Sequence, residues 1–303
     1  MKTLKHIFIT AFCISAITQV SAQQEPLYTH YMYNTLTINP AYAGSRDAMS
    51  FFGLARFQWV GLEGAPMTQN LQIHSPIVAG LNAGIGLVND KIGPMNNTNL
   101  SIDLTYRFNL GKHHRLAIGM KGGLDFYNNN LSGLTVNESG DPMFNQNISR
   151  TLPNVGAGIY YDHTNFYVGF SVPRIVEHRL NTGLGEMKRH YYAIAGGFIP
   201  IGRDFGLKPT ALVRMAEGAP VQAEITLEAL IVQRVSIGAF YRTLDGVGAL
   251  LGVNIGPNFR IGYSFDWPLT ELSGVAHYGS HELMLRYDLK FGRMSKIKSP
   301  RYF

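Results

Sequence analysis

The sequence has very little cysteine and no long apolar run beyond its first residues. Its single cysteine, Cys13, lies in a stretch in which Lys2 and Lys5 precede apolar residues 7–20. A basic start, a short apolar middle and small closing residues are typical of a secretory signal peptide, which we predict over residues 1–22 in preference to a buried helix. The mature chain then has no cysteine, which excludes disulfide bonds and thiol chemistry.

After this stretch, no apolar run reaches the roughly 18 residues that a membrane helix needs. An exported chain without such a helix can still cross a membrane as a closed barrel, in which the backbone groups are paired internally. The formal net charge is +6 for the whole chain and +4 without Lys2 and Lys5. This mild excess, with no stripe of Lys or Arg among stacking aromatics, argues against a nucleic-acid partner.

The sequence also lacks the residue arrangements of a catalytic site. We find no P-loop, no dinucleotide fingerprint, and no acid–base or nucleophile–base pair. Residues 112–115 contain two adjacent histidines, which we interpret as a solvated turn because a metal site there would need a third ligand. We therefore predict a protein that is not an enzyme and that uses no cofactor or metal.

What the sequence does contain is a repeated alternation of apolar and polar residues between positions 48 and 291. Within residues 97–108, the even positions from 100 to 108 carry Leu, Ile, Leu, Tyr and Phe. The odd positions from 99 to 107 carry Asn, Ser, Asp, Thr and Arg. Because successive side chains of a strand point to opposite faces, each such run has one apolar and one polar face. Many strands of about ten residues with aromatic ends are typical of a transmembrane β-barrel.

The alternation predicts fourteen strands. They run near residues 48–59, 67–75, 81–89, 98–109, 114–126, 153–162, 165–172, 190–199, 207–215, 221–232, 234–243, 247–255, 258–267 and 281–291. Connections after even-numbered strands are short, whereas several after odd-numbered strands are long, including 127–152, 173–189 and 268–280. Outer-membrane barrels segregate short and long connections in this way, but a secreted β-sandwich has no reason to do so. We therefore predict an all-β barrel over residues 48–291 in the cell outer membrane.

The polar parity of these strands carries charges of both signs. Its charged members include Asp103, Arg107, Glu224, Glu228, Arg260, Asp266, Glu282, Arg286 and Asp288. Mixed charges indicate a lumen crossed by hydrogen-bonded networks or filled by a chain segment, whereas an ion-selective pore more often carries one sign. Of these interpretations, we favour a hydrated interior without a specific ligand.

Residues 23–47 do not follow the strand pattern. Several tyrosines and the turn-forming step Asn39-Pro40 stand in this segment. So many aromatic side chains must pack against the lumen, the periplasmic rim or a partner. We therefore interpret residues 23–47 as a plugging or docking segment.

Motifs in this segment and in the first strands carry a family resemblance. They are Tyr31-Met32-Tyr33-Asn34, Ile38-Asn39-Pro40-Ala41-Tyr42-Ala43-Gly44-Ser45, Arg56-Phe57-Gln58-Trp59-Val60-Gly61, Gly64-Ala65-Pro66, His74-Ser75-Pro76 and Ser171-Val172-Pro173-Arg174. In this order they resemble the PorP/SprF family, outer-membrane proteins of the type IX secretion system in Bacteroidota. Candidate partner or motif residues are Tyr31, Asn34, Asn39, Pro40, Tyr42, Gly44, Arg56, Gln58, Trp59, Gly61, Pro66, His74 and Pro76.

The resemblance implies a non-enzymatic barrel of the secretion and gliding-motility machinery that acts as an interaction platform. The implied partners, besides the lipid bilayer, are periplasmic ring lipoproteins and a peptidoglycan-associated protein, or the C-terminal domain of a secreted adhesin. An independent porin or a hydrophobic-substrate channel is the alternative that barrel physics alone allows.

A physical reading of the motif residues gives further expectations. Trp59 and Tyr42 are expected in the interfacial aromatic girdles. Arg56 and Gln58 share the polar parity of their strand and are expected to face the lumen. Residues 292–303 are basic and proline-containing, which predicts a periplasmic tail, either disordered or docked on a partner.

Overall fold

Fourteen antiparallel strands form the wall of a closed barrel. The structure, a computed structural model, describes residues 22–23, 25–133, 147–181, 185–274 and 276–290. The strands are β1 Met49–Phe57, β2 Met67–Val78, β3 Leu81–Ile92, β4 Met95–Asn109, β5 Arg115–Asn129, β6 Ile148–Asp162, β7 Phe166–Arg174, β8 His190–Gly197, β9 Phe205–Ala216, β10 Gln222–Ile231, β11 Val235–Arg242, β12 Gly246–Ile255, β13 Phe259–Pro268 and β14 Ser280–Leu289. All fourteen predicted strands are confirmed.

Each strand pairs with its sequence neighbours, and the ring closes between β14 and β1. In the closing pair, His281 to Leu289 face Phe57 to Met49 in continuous antiparallel register. Strand β8 ends before Phe198, and the short strand Ile199–Ile201 that follows pairs with the start of β9. Closure leaves no open sheet edge in the wall, which is what allows strands to stand in lipid. No helix in the described parts of the chain is long and apolar enough to span a membrane.

The two faces of the strands differ as the alternation predicts. Leu104 and Leu285 lie on the outer face and are about half exposed, at 54% and 44%. The predicted lumen charges lie inside, where Asp103 and Glu282 are fully buried. The parity assignment is therefore confirmed on both faces.

Several strands extend further than the sequence indicates. Strand β3 continues to Ile92, and strand β4 already begins at Met95. Both therefore include residues that the alternation assigns to a connection. The reason is polar cross-strand pairing, because the Asn89 amide donates to Asn96 and Thr98 at 2.7 and 2.8 Å. The glycine-rich runs 81–89 and 247–255 are likewise strands.

Connection lengths define two ends of the barrel. The short-turn end carries the connections after even-numbered strands, which are 79–80, 110–114, 163–165, 202–204, 232–234 and 256–258. The long-loop end carries those after odd-numbered strands, and these include 58–66, 130–147, 175–189 and 269–279. Three connections at the long-loop end are nevertheless short, at 93–94, 217–221 and 243–245.

Residues 25–47, here called the lumen segment, cross the barrel interior from one end to the other. Glu25 contacts Arg174 at the long-loop end, and Asp47 contacts Arg107 and Arg115 at the short-turn end. The segment contains one helical turn, Thr35–Ile38, and a 3-10 helix, Pro40–Tyr42. Before it, Ala22–Gln23 pairs in parallel with Gly185–Met187, which pairs with His178–Asn181.

Some predictions fall outside the described residues. These are most of the signal peptide, Phe291 at the end of the last predicted strand, and the basic tail 292–303. The domain limits and the role of residues 23–47 remain predictions.

Candidate functional site

The lumen segment is the most buried part of the molecule. Every side chain from residue 28 to residue 46 is buried except that of Thr37, which is half-buried. Because little of the segment is helix and none of residues 25–47 is strand, its polar groups need partners on the wall. The wall supplies them at several points along the lumen.

The first anchor is at the long-loop end. The Glu25 carboxylate accepts from Arg174 Nε at 3.1 Å and from the Tyr192 hydroxyl at 2.8 Å, and Arg214 donates to the Glu25 carbonyl at 3.0 Å. Burial alone would raise the pKa of the Glu25 carboxyl, but the neighbouring His190 and Arg174 charges and the hydrogen bonds outweigh it, so the pKa lies below its ordinary value. Glu25 is therefore held as a carboxylate.

The second anchor is a buried charge cluster on β1, β13 and β14. Glu282 accepts from the backbone N–H groups of Thr29 and His30 at 3.0 and 2.8 Å, and it lies 2.7 Å from His30 Nδ1. Arg56 pairs with Asp266 at 2.5 Å and with Glu282 at 3.2 Å. Each of these charges has a partner, which is the condition for keeping charges away from water.

The third anchor surrounds Tyr33. Its hydroxyl donates to both carboxylate oxygens of Glu228 at 3.0 and 2.9 Å, and Arg260 donates to it at 2.8 Å. Lys208 also hydrogen-bonds this hydroxyl. The cations of Lys208 and Arg260 lie 4.2 and 4.3 Å from the ring centroid, within cation–π range.

The Asn39-Pro40 step fits into a socket of wall glycines. The Asn39 side chain accepts from the Ala41 N–H at 2.9 Å and donates to the Ile159 carbonyl at 3.0 Å. It therefore caps the 3-10 helix and at the same time joins the lumen segment to the wall. A Cβ at Gly119 would overlap the Ala41 backbone, and one at Gly158 would overlap the Asn39 side chain. Glycine at these wall positions is what lets the segment lie against the strands.

The fourth anchor lies toward the short-turn end. Gly44 has φ +71° and donates to His74 Nδ1 at 3.1 Å, and the Tyr42 ring packs edge-on against His74 with centroids 5.5 Å apart. Arg107 donates to the Gly44 carbonyl at 3.0 Å and pairs with Asp47 at 2.7 Å.

The structure places twelve of the thirteen candidate residues in two regions. Eight lie in or against the lumen segment: Tyr31, Asn34, Asn39, Pro40, Tyr42, Gly44, Arg56 and His74. Four lie at the long-loop end: Gln58, Trp59, Gly61 and Pro66. Pro76 is half-buried near the end of β2. The Asn34 amide is buried, and neither of its polar atoms has a hydrogen-bond partner among the described residues.

The expectation of interfacial girdles for Tyr42 and Trp59 is wrong. Tyr42 is 3% exposed and lies in the lumen, against His74 and Tyr160. Trp59 follows β1 with φ +47° and lines a cavity at the long-loop end. The reason is that both lie in backbone turns, which take their side chains off the alternating lipid face. Arg56 faces the lumen as predicted, and Gln58 lines the same cavity as Trp59.

A cavity of about 700 Å³, here called the vestibule, occupies the long-loop end. Glu25, Pro26 and Leu27 of the lumen segment line it. Its other apolar lining includes Trp59, Ile92, Met95, Tyr127 and Met187. Around it, connections at the long-loop end expose large apolar side chains, here called the apolar rim: Leu62, Val221, Leu244, Leu269 and Tyr278.

The histidine turn at the short-turn end is exposed, as the sequence predicts. His113 and His114 are joined there by His163 of the next turn, whose ring centroid lies 4.8 Å from that of His114. Within the described part of the chain, no group of three or more His, Cys, Asp or Glu residues has the geometry to hold a metal ion.

Several anchoring residues are not among the thirteen candidate residues chosen from the sequence. Glu25, Thr29, His30 and Tyr33 do not alternate, so strand periodicity carries no signal for them. Lys208, Arg242, Arg174 and Asp125 on the wall are also missing from the predicted lumen charges. Lumen parity was the signal that could have found Lys208, Arg242 and Asp125. Arg174 lies beyond the predicted strand and on its other parity, and a register shift in the pairing of β7 with β8 accompanies its burial.

The sequence matches a family model over residues 20–287, that of the type IX secretion system membrane protein PorP/SprF. The chain belongs to the PorP/SprF family. This covers the lumen segment and nearly all of the barrel, and it confirms the resemblance carried by the motifs. A search of curated proteins gave no match.

Solved structures of other outer-membrane proteins are similar to this PorP/SprF protein. The Ralstonia pickettii toluene transporter TbuX superposes with a TM-score of 0.50 at 8% identity, covering 84% of this chain and 92% of that one. Acinetobacter baumannii Omp33 gives a TM-score of 0.46 at 9% identity, covering 80% and 98%. At 8% identity, the likeness to TbuX shows the barrel fold alone. Family membership and the closed barrel together place the protein in the lipid bilayer of the outer membrane.

Proposed function

We propose that this PorP/SprF barrel is a non-conducting interaction platform of the type IX secretion and gliding machinery. The observation that carries the proposal is the lumen segment, which crosses the interior and is bonded to the wall at both ends and between them. A barrel filled in this way has little room for a continuous water path, which a porin requires.

The long-loop end supplies the docking surface in this proposal. Long loops of outer-membrane barrels face the cell exterior, so the vestibule and the apolar rim are expected there. Exposed apolar side chains around a cavity are typical of a protein-binding surface. The rim side chains Val221, Leu244, Leu269 and Tyr278 are each more than half exposed. The partner at this end is then the C-terminal domain of a secreted adhesin.

The short-turn end faces the periplasm in the same orientation. Periplasmic ring lipoproteins and a peptidoglycan-associated protein are the proposed partners there. The proposal therefore assigns the two ends of the barrel to different partners and requires no catalytic step by the protein.

Site-specific photo-crosslinking in cells tests the proposal. A crosslinker at Leu244 or Leu269 samples the apolar rim, one at His113 samples the short-turn end, and one at Leu285 on the lipid face is the control. We expect discrete crosslinked proteins from the two ends and none from the control position, each identified by mass spectrometry after affinity isolation. A barrel that gives no crosslinked partner from either end, and that conducts ions, would instead be an independent porin or hydrophobic-substrate channel.

A further inference from the structure

The base of the vestibule is a built carboxylate site that the chain itself occupies. Arg174 at the end of β7, Tyr192 on β8 and Arg214 on β9 converge on Glu25, with the distances given above. All three side chains are less than 10% exposed and stand on adjacent strands of the wall. The Glu25 side chain is more accessible, at 22% exposed.

The site is held in place by contacts that do not involve Glu25. Arg174 makes a two-point pair with Asp125 at 2.6 and 3.0 Å, and Arg214 donates to Gln222 at 2.7 Å. The two guanidinium groups and Asp125 carry a formal charge of +1 together, which complements one further carboxylate. The arrangement of donors would therefore persist if Glu25 left.

The residues after Glu25 show what accompanies the carboxylate. Pro26 and Leu27 line the vestibule beside apolar groups such as Met95 and Met187. The chain here has no regular secondary structure. The cavity above has the volume of a typical ligand pocket, about 300–1,000 Å³, so further residues of a bound peptide have room.

We propose that this site is an exchangeable receptor for an extended peptide segment in which an acidic residue is followed by apolar residues. A partner at the outer face supplies the segment, and Glu25, Pro26 and Leu27 occupy the site in its absence. The inference rests on the proposed function, since it names the chemistry by which the platform recognises its outer partner.

A synthetic peptide tests this directly. The probe is a fluorescent peptide with the sequence of residues 23–28, and its matched control has Gln in place of the glutamate. Binding is measured by anisotropy on purified full-length protein and on the Glu25→Ala variant in detergent. We expect the variant to bind the acidic peptide at least tenfold more tightly than the wild type, because its own carboxylate no longer competes.

Two controls complete the test. Arg174→Gln in the Glu25→Ala background should abolish the preference for the acidic peptide, because Arg174 is the cation that contacts the carboxylate. Glu25→Gln serves as the conservative variant if Glu25→Ala does not give a heat-modifiable barrel. If wild type and variant bind the acidic peptide equally, if neither binds it, or if the glutamine peptide binds as well, Glu25 is only a structural anchor and the inference is overturned. Crosslinked partners at the apolar rim would be unaffected by that failure, so it is distinguishable from failure of the proposed function.

Discussion

Asn39 of the lumen segment lies where a side chain at Gly158 would otherwise stand, since a Cβ at that wall position would overlap the Asn39 amide. The same holds for Gly119 and the Ala41 backbone. The Asn-Pro motif and the wall glycines therefore form one packed unit, although they are far apart in sequence.

This relationship predicts different outcomes for two glycines of the same strand. Gly119→Val should reduce the folded, heat-modifiable fraction and lower the free energy of unfolding by at least about 1–3 kcal/mol, the usual cost of overpacking. Gly122→Val should be tolerated, because Gly122 is on the outer face and a Cβ added there would have no neighbouring atom within 4 Å. Equal behaviour of the two variants would contradict the socket.

The Tyr33 anchor predicts a graded loss of stability. Glu228→Ala removes the carboxylate with which the buried Lys208 and Arg260 pair. We therefore expect the free energy of unfolding to fall by about 3–5 kcal/mol. Tyr33→Phe removes only the hydroxyl and should cost about 1–3 kcal/mol. Guanidinium unfolding of the detergent-folded barrel measures both, and a Tyr33→Phe loss as large as that of Glu228→Ala would argue against this arrangement.

The barrel was predictable from sequence because lipid and lumen faces impose a period of two on every strand. The contents of the lumen were only partly predictable. Mixed charges such as Glu228 and Glu282 indicated a network or a filling segment, but Tyr33 and His30 lie in a stretch without periodicity. Their partners are about 195 to 252 residues away in the chain, so only the closed ring brings them together. The same lack of periodicity led to the wrong placement of Tyr42.

The path of the lumen segment predicts where the start of the mature chain lies. Glu25 is at the long-loop end, so an epitope inserted between residues 23 and 24 should be stained on intact cells. An epitope in the 110–114 turn should be stained only after the outer membrane is permeabilised. The reverse pattern would show that the barrel is oriented the other way.

The Glu25 anchor predicts a pH dependence of stability. Its pKa is lowered in the folded protein, so its stabilisation is complete above the unfolded-state pKa of about 4.3 and is lost as the pH falls through the lower folded value. The difference in free energy of unfolding between wild type and Glu25→Gln should therefore be present at neutral pH and shrink in acid. A difference that grows as the pH falls would contradict the carboxylate assignment.

Planar-bilayer conductance tests the central claim, that the lumen segment closes the barrel, most directly. The positive control is a variant that lacks residues 25–47 or, if that variant does not fold, one in which Tyr31, Tyr33 and Tyr42 are replaced by serine. Insertion of each protein is verified with antibody against the 110–114 turn. We expect the wild type to insert without open-channel steps and the variant to conduct. Stable channel openings of the wild-type protein would contradict the account.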